Sequence, residues 1–500
     1  MNKETSKREQ NILYGVLSNY SSSILILFGT MIFTPVLVRL ISTEQYGNLS
    51  TVLSVHSIVG PLATVGMFNS IRKHYPIANE SGLESQLTTF SFVFLISIGI
   101  ATTVSSWLVI FIMDGFNFIE SVLLEPLLIV FFATIFNNCI EYSRSVLYSK
   151  SEEAKAEIIK IFKKFLYFGP AIFVSYLGLD IRSILFTFVV SSVLSSAIGI
   201  YFIRGELNIS VNSIYRGWDE FGFDLISFGG WSAISLAISS LIYNADIILV
   251  RTLLGGKQTG IYTAALTISQ LLWLFPRGVQ SILFHNISSL YQEDKPKEII
   301  HHTSKWLDNI FLILTLFGVG IYVLSDSFFV VYFGNDYISS VAPFKILMIG
   351  TFVFGIARVL SPIIEVSGYI RHNTLVSFLV LITNVVLNIL LIPEFGLKGA
   401  AMATSISYFV KIIQYGLILQ YAGYNVISDF NWIRNIALTI SFFFTFRLAK
   451  ELVFLPDLLE LLVLPIIGFI IFVLLGVSLG MITQSSINQV KNILGISKLN

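Results

Sequence analysis

Four ionisable residues, Asp246, Arg277, Arg358 and Lys411, stand inside long apolar runs. A charge in hydrocarbon costs about 3 kcal/mol or more, so such groups face protein or water rather than lipid. Each belongs to a stripe with helical spacing: Ser232–Ser235–Ser239–Asp246, Thr263–Thr267–Gln270–Arg277–Ser281, Thr351–Arg358–Glu365 and Thr404–Ser407–Lys411–Gln414. Steps of three, four and seven put the polar atoms on one helix face. Four such faces are what the wall of a wet cavity requires. The chemistry they suit is anion binding. The guanidinium fork donates two parallel hydrogen bonds to a phosphate, and a low dielectric strengthens them. Arg277, Arg358 and Lys411 are therefore candidate anion ligands. Asp246, Glu365, His56 and Gln270 are candidate cavity or coupling groups.

Each residue also has a structural reading. Arg358 can pair with Glu365 on its own helix, and Lys411 can snorkel to the interface. Arg277 follows Pro276, so a kinked helix with a structural salt bridge accounts for it. Asp246 can pair with Arg251, or take up a proton or sodium ion. His56 reads as a hydrogen-bonded core residue or a proton carrier, and Asn384 and Asn388 read as helix–helix glue. Ser151–Lys164 alternates acids and bases, as an amphipathic inner-surface link would. His301-His302 lacks a third ligand for a metal, and Gly255-Gly-Lys-Gln-Thr-Gly has the wrong order for a phosphate-binding loop. No nucleophile–base or paired-carboxylate constellation stands on an ordered scaffold. The expectation is a protein that is not an enzyme and carries no cofactor or metal.

The elements that position these residues follow from composition. Among 500 residues only 12% are charged and 55% are hydrophobic, where soluble domains carry about 25% charged residues. Too few charges remain to clothe soluble surfaces, which excludes soluble enzymes and disordered chains. A net charge of +1 offers nothing to a nucleic acid. One cysteine, Cys139, excludes an internal disulfide. Runs of about 20 apolar residues suffice to span a bilayer. They predict about fourteen helices, near 12–38, 47–71, 87–112, 126–148, 158–178, 183–203, 225–250, 258–285, 308–333, 342–367, 373–392, 396–421, 431–449 and 458–482. The runs are continuous rather than alternating, which excludes a β-barrel. With a cytoplasmic N-terminus, 20 Lys and Arg fall in inside segments and seven in outside links. That bias puts both termini in the cytoplasm of a multi-pass protein of the cell (inner, cytoplasmic) membrane. Arg277, Arg358 and Lys411 then lie about 15–20 residues along helices entering from outside, all in the cytoplasmic half of the bilayer.

The chain also repeats itself. Leu37-Val-Arg39 and Tyr46-Gly47 answer to Leu249-Val-Arg251 and Gly260, and Tyr176-Leu-Gly178-Leu answers to Glu394-Phe-Gly396-Leu. The offsets are 212, 213 and 218 residues. Two parallel six-helix lobes are expected, over 1–215 and 216–425, with a C-terminal helix pair and tail over 426–500. Transporters with such repeats bind cargo between the lobes.

The stretches Phe33-Thr-Pro-Val-Leu-Val-Arg-Leu-Ile-Ser-Thr-Glu-Gln-Tyr-Gly and Asn244-Ala-Asp-Ile-Ile-Leu-Val-Arg carry a family resemblance. So does Asn388-Ile-Leu-Leu-Ile-Pro-Glu-Phe-Gly-Leu-Lys-Gly-Ala-Ala-Met-Ala-Thr, with Gly368 and Asn373 upstream. Together they resemble the O-antigen (Wzx-type) flippases of polysaccharide biosynthesis, within the multidrug/oligosaccharidyl-lipid/polysaccharide exporter superfamily. The resemblance implies an all-α fold like that of drug exporters and lipid II flippases. It implies transport of an undecaprenyl-diphosphate-linked oligosaccharide, an O-antigen, capsule or exopolysaccharide unit, from the inner to the outer leaflet by alternating access. Arg277, Arg358 and Lys411 would then cradle the diphosphate, membrane lipid would be a partner, and H+ or Na+ a coupling ion. The terminal helices resemble those that give the lipid tail a groove. Relatives carry a cavity Arg in helix eight, where Arg277 stands slightly later, and another in helix two, where His56 is the nearest ionisable residue. Two rival readings are a cation-coupled multidrug antiporter of the same superfamily and a membrane glycan polymerase or ligase.

Overall fold

The computed structural model describes residues 3–116, 118, 120–207, 210–426 and 430–481. The side chains of residues 1–17 and of Tyr20 lie outside that description, so the orientation residues Lys3, Lys7 and Arg8 are not placed. Lys491 and Lys498 lie outside the described residues altogether. Among the described residues there is no strand. The chain divides into two compact units, residues 1–260 and 261–500.

The first unit holds α1 (Lys3–Leu40), α2 (Thr43–Ala63), α3 (Met67–Glu80), α4 (Glu84–Gly115), α5 (Ser121–Ser149), α6 (Glu153–Tyr176) and α7 (Ile181–Ile203). The short α8 (Val211–Gly217) and the long α9 (Phe223–Leu254) follow. Helix α5 packs on α4 and α7, α6 on α1 and α7, and α2 on α9. The second unit holds most of α10 (Gly256–Leu271), then α11 (Leu274–Gln292), α12 (Pro296–Val323), α13 (Ser325–Tyr332) and α14 (Val341–Val366). It ends with α15 (Ile370–Phe395), α16 (Leu397–Tyr421), α17 (Trp432–Leu452) and α18 (Asp457–Ser478). Here α14 packs on α11, α12 and α16, and α17 packs on α12 and α18.

The expected spans fall on helices, the second interrupted by a turn at 64–66 and the ninth by one at Leu324. Eleven helical segments among the described residues are long and apolar enough to cross a membrane, and the protein is a multi-pass membrane protein. The expected spans at 158–178 and 431–449, in α6 and α17, are too charged or polar to meet that standard, and a break interrupts the one expected at 258–285. The break falls at Leu272-Trp273, between α10 and α11. Pro276 has no N–H to give the carbonyl four residues back, so the helix restarts.

The duplicated motifs have local physical causes. Ser42 builds a capping box: its Oγ accepts from the Gln45 amide at 3.1 Å, and its own amide donates to Gln45 Oε1 at 2.9 Å. This ties off two orphan donors at the start of α2. Gly178 and Gly396, matched in the repeat, both take positive φ, +73° and +57°, where a side chain would strain the backbone. Gly47 and Gly260 stand against each other's helices. A Cβ on Gly47 would lie 1.9 Å from the Gly256 carbonyl oxygen, and one on Gly260 would lie 2.1 Å from that of Thr43.

Polar residues inside the helices bond mostly to their own backbone. Ser235 and Ser239, expected on the Asp246 stripe, donate to the carbonyls of Trp231 and Ser235 at 3.1 and 3.0 Å. Asn384 Nδ2 donates to Thr404 Oγ1 at 3.2 Å and so joins α15 to α16.

Candidate functional site

The helix break that Pro276 enforces turns Trp273 into the centre of the second unit. Its indole is fully buried, and its Nε1 donates to the Thr351 carbonyl of α14 at 3.2 Å. A buried indole needs such an acceptor. The Phe354 and Tyr408 rings pack against it with centroids at 4.9 and 5.8 Å. The three cations singled out in the sequence gather on this aromatic cluster. The Arg277 guanidinium lies 5.7 Å from the Trp273 centroid, and that of Arg358 lies 5.3 Å from Trp273 and 5.0 Å from Phe354. Lys411 Nζ lies 4.9 Å from Phe354 and 5.4 Å from Tyr415. Ring faces attract cations within about 6 Å, so aromatic side chains bring three cationic side chains together in this unit.

Arg358 Nη1 donates to Gln280 Oε1 at 3.2 Å. Gln280 Nε2 in turn donates to Ser361 Oγ at 2.8 Å. Glu365 accepts from Asn373 Nδ2 at 3.2 Å, and Tyr415 Oη donates to Asn373 Oδ1 at 2.6 Å. Arg358 is thus braced by α11, and Glu365 by α15. Trp273, Phe354, Gln280, Asn373 and Tyr415 were not recognised as site residues. Gln280 carried a signal, since it stands three residues after Arg277 and shares its helix face. Gln270 is on α10, and the break separates it from Arg277. The single polar stripe expected through both is therefore two. Thr404 and Ser407, expected beside Lys411, are buried; Ser407 Oγ donates to the Ala403 carbonyl of its own helix at 2.7 Å.

The first unit holds the remaining candidates. Asp246 is buried on α9. Its expected partner Arg251 is committed elsewhere: Nη1 and Nη2 donate to the two Glu120 oxygens at 2.6 Å each, and Nε donates to Asn48 Oδ1 at 3.0 Å. The fork geometry makes this a strong pair. Hydrogen bonding from Arg251 holds the Glu120 carboxyl below the usual carboxylate range. Both side chains line a cavity of about 760 Å³ with Thr102, Ser105 and Ser106 of α4. His56 stands among Thr134 and Asn137, each 3.5 Å from its Nε2, and the Phe131 and Phe188 rings. Lys163 Nζ donates to Asn137 Oδ1 at 2.6 Å.

The segment Ser151–Lys164 corrects the expectation of an inner-surface link. From Glu153 onward it is part of α6, and Glu157 is 1% exposed. Glu157 accepts from Tyr148 Oη at 2.6 Å, from Lys160 at 3.2 Å, from Arg144 at 3.4 Å and from Ser22. Glu157 draws its partners from α1, α5 and its own helix, while Lys155 and Glu152 at the start of the segment pair with each other at the surface.

Comparison with known proteins agrees with this architecture. The solved structure of the lipid II flippase MurJ in an inward closed conformation superposes with a TM-score of 0.71 at 15% identity, covering 93% of this chain and 98% of that one. An inward-facing multidrug resistance MATE family transporter gives 0.63 at 12% identity, covering 81% and 98%. At these identities the likeness establishes the fold. In sequence, the "Putative O-antigen transporter" of Shigella flexneri is 27% identical over 258 residues, 50% of this chain and 58% of that one. The "Probable low-salt glycan biosynthesis flippase Agl15" of Haloferax volcanii is 24% identical over 288 residues, 56% and 58% of the two chains. The matched region thus spans under three-fifths of the length of these relatives. The profile of the family described as polysaccharide biosynthesis protein matches residues 10–277. That match covers more than half of the chain, and the protein belongs to the polysaccharide biosynthesis protein family.

Proposed function

We propose that the protein is a flippase that carries an undecaprenyl-diphosphate-linked oligosaccharide, an O-antigen, capsule or exopolysaccharide unit, from the inner to the outer leaflet. One observation carries the reading: Arg277, Arg358 and Lys411 converge on Trp273 and Phe354. Three cations inside a membrane-spanning unit repel one another, and a diphosphate with its several negative charges relieves that repulsion. Aromatic faces attract the cations and hold them in place, and guanidinium groups suit a diphosphate because their fork can give it two parallel hydrogen bonds. Arg358, braced by Gln280, is the fixed ligand, and the exposed Arg277 is the one that reaches for cargo. The names of the relatives and the lipid II flippase fold support the same substrate class.

The rest of the scheme belongs to this proposal. The lobes are 1–215 and 216–425 with the pair 426–500, the termini are cytoplasmic, and the membrane is the cell's inner membrane. Cargo moves by alternating access, and Asp246, Glu365, His56 and Gln270 are the polar groups open to coupling by H+ or Na+. The multidrug antiporter reading draws support from the MATE likeness in fold. It calls for an anionic pocket for cationic drugs, whereas the cluster described holds three cations around the single carboxylate of Glu365.

The test is export of surface polysaccharide by Arg277→Ala and Arg358→Ala proteins expressed at wild-type level in the membrane. Both variants lose export while remaining folded. Normal export by both removes this site, though not the fold.

A further inference from the structure

Two neighbouring cavities of the second unit have opposite character and share a wall. One is an apolar groove of about 340 Å³ between α12, α14 and α17. Ile349, Ile440 and Phe444 in it are more than half exposed, so it opens sideways onto the surface that lipid covers in a membrane. The other is a charged pocket of about 440 Å³. Tyr322 and Phe443 line both, with their ring centroids 5.8 Å apart.

The order along the three helices is the same. The charged pocket lies at the C-terminal ends of α12 and α17 and near the N-terminal end of α14, and the groove runs inward from it. From Arg447 to Thr439 on α17 that depth is about 12 Å at 1.5 Å per residue. A charged end with an apolar trough beneath it is the profile of one lipid in one leaflet.

The charges choose among lipids. Lys345 donates to Asp326 at 3.2 Å, and Lys450 lies 3.9 Å from the same oxygen and 3.1 Å from Glu460. Lys450 also donates to the Val323 carbonyl at 3.0 Å, and Arg447 Nε donates to Glu451 at 3.2 Å. Three cations therefore alternate with three carboxylates, and the site is neutral. An anionic headgroup would meet those carboxylates at close range. A zwitterion sets its phosphate on Lys345 or Arg447 and its ammonium on Asp326 or Glu451. A primary ammonium donates hydrogen bonds to carboxylates, and a trimethylated one cannot. The Arg447–Glu451 pair is exposed on both sides, and such pairs are weak enough to open for a ligand.

We propose that this groove and pocket together bind one phosphatidylethanolamine, with one of its acyl chains against Phe352 and Ile440 and its headgroup among Lys345, Arg447, Lys450, Asp326 and Glu451. The site is independent of the cationic cluster at Trp273 and does not rest on the flippase reading.

The experiment uses the full-length protein, delipidated and placed in nanodiscs of equal parts dioleoyl phosphatidylethanolamine, phosphatidylcholine and phosphatidylglycerol. Native mass spectrometry then counts the lipid retained on release. Phosphatidylethanolamine is retained over each competitor by about tenfold, the range that separates one good charge-assisted contact from none. The Arg447→Gln/Glu451→Gln double variant changes only exposed side chains, and size exclusion confirms its fold. It loses most of the preference. Equal retention of all three lipids overturns the proposal and leaves a groove for any chain, the cargo's tail included. Preference for phosphatidylglycerol, or a preference that survives the double variant, also overturns it.

Discussion

Gly47→Ala tests whether the duplicated motifs truly fit backbone to backbone. The new Cβ would stand 1.9 Å from the Gly256 carbonyl oxygen and 2.7 Å from the Gly260 nitrogen. Ordinary contact needs about 3.5 Å, so α2 must move roughly 1.6 Å away from the start of α10. No rotamer change relieves the clash, because both opposing atoms are main chain. Overpacking costs about 1–3 kcal/mol where side chains can yield; here the upper end is the minimum. At about 2–4 °C per kcal/mol for a unit of this size, the melting temperature falls by roughly 6–12 °C. The assay is fluorescence-detected size exclusion of detergent-solubilised protein after stepwise heating. Gly230→Ala on α9 is the control: its Cβ meets nothing within 4 Å, and the substitution gains helix propensity of up to about 1 kcal/mol. The two alanines therefore shift stability in opposite directions. A Gly47→Ala protein as stable as Gly230→Ala would refute the packing argument.

Other substitutions separate the remaining contacts. Glu120, whose carboxyl is held down by Arg251, contributes stability that is full above its ordinary pKa of 4.5 and is lost as pH falls through its lower folded value. Glu120→Gln therefore melts below wild type at pH 7, by no more than about 1 kcal/mol because Glu120 is largely exposed. The two proteins converge in acid, and a gap that persists there contradicts the pairing. Trp273→Ala empties the centre of the second unit at a cost of about 3–5 kcal/mol, and expression at low temperature followed by heating measures it. Arg358→Lys keeps the charge but loses the planar fork, so export drops while melting stays near wild type. Wild-type export would mean that Arg358 acts as a point charge only.

Much of the fold was legible because a membrane span is written in continuous apolar residues. The expected spans fall on helices, eleven of them among the described residues long and apolar enough to cross a membrane, and Pro276 announced the break between α10 and α11. The three cations were legible for the complementary reason: charge in an apolar run is costly and therefore purposeful. Their aromatic platform was not, since Trp273 and Phe354 read as ordinary core in a chain with 14% aromatic residues. Partner choice was hidden where it depends on distant segments. Arg251 has an acid five residues away in Asp246, yet pairs with Glu120, 131 residues off. Glu157 looked solvated because i,i+3 acid–base pairs on one helix also suit a wet surface. Only the approach of α1 and α5 shows that it is buried.

The central claim is transport of a lipid-linked glycan, and depletion of the protein tests it most directly. Lipid-linked glycans and surface polysaccharide are measured in the same cells. The account predicts that glycan-diphosphate lipid accumulates on the cytoplasmic side while surface polysaccharide disappears. Unchanged glycan lipids together with new sensitivity to cationic drugs would contradict it and point to the drug-exporting branch of the fold.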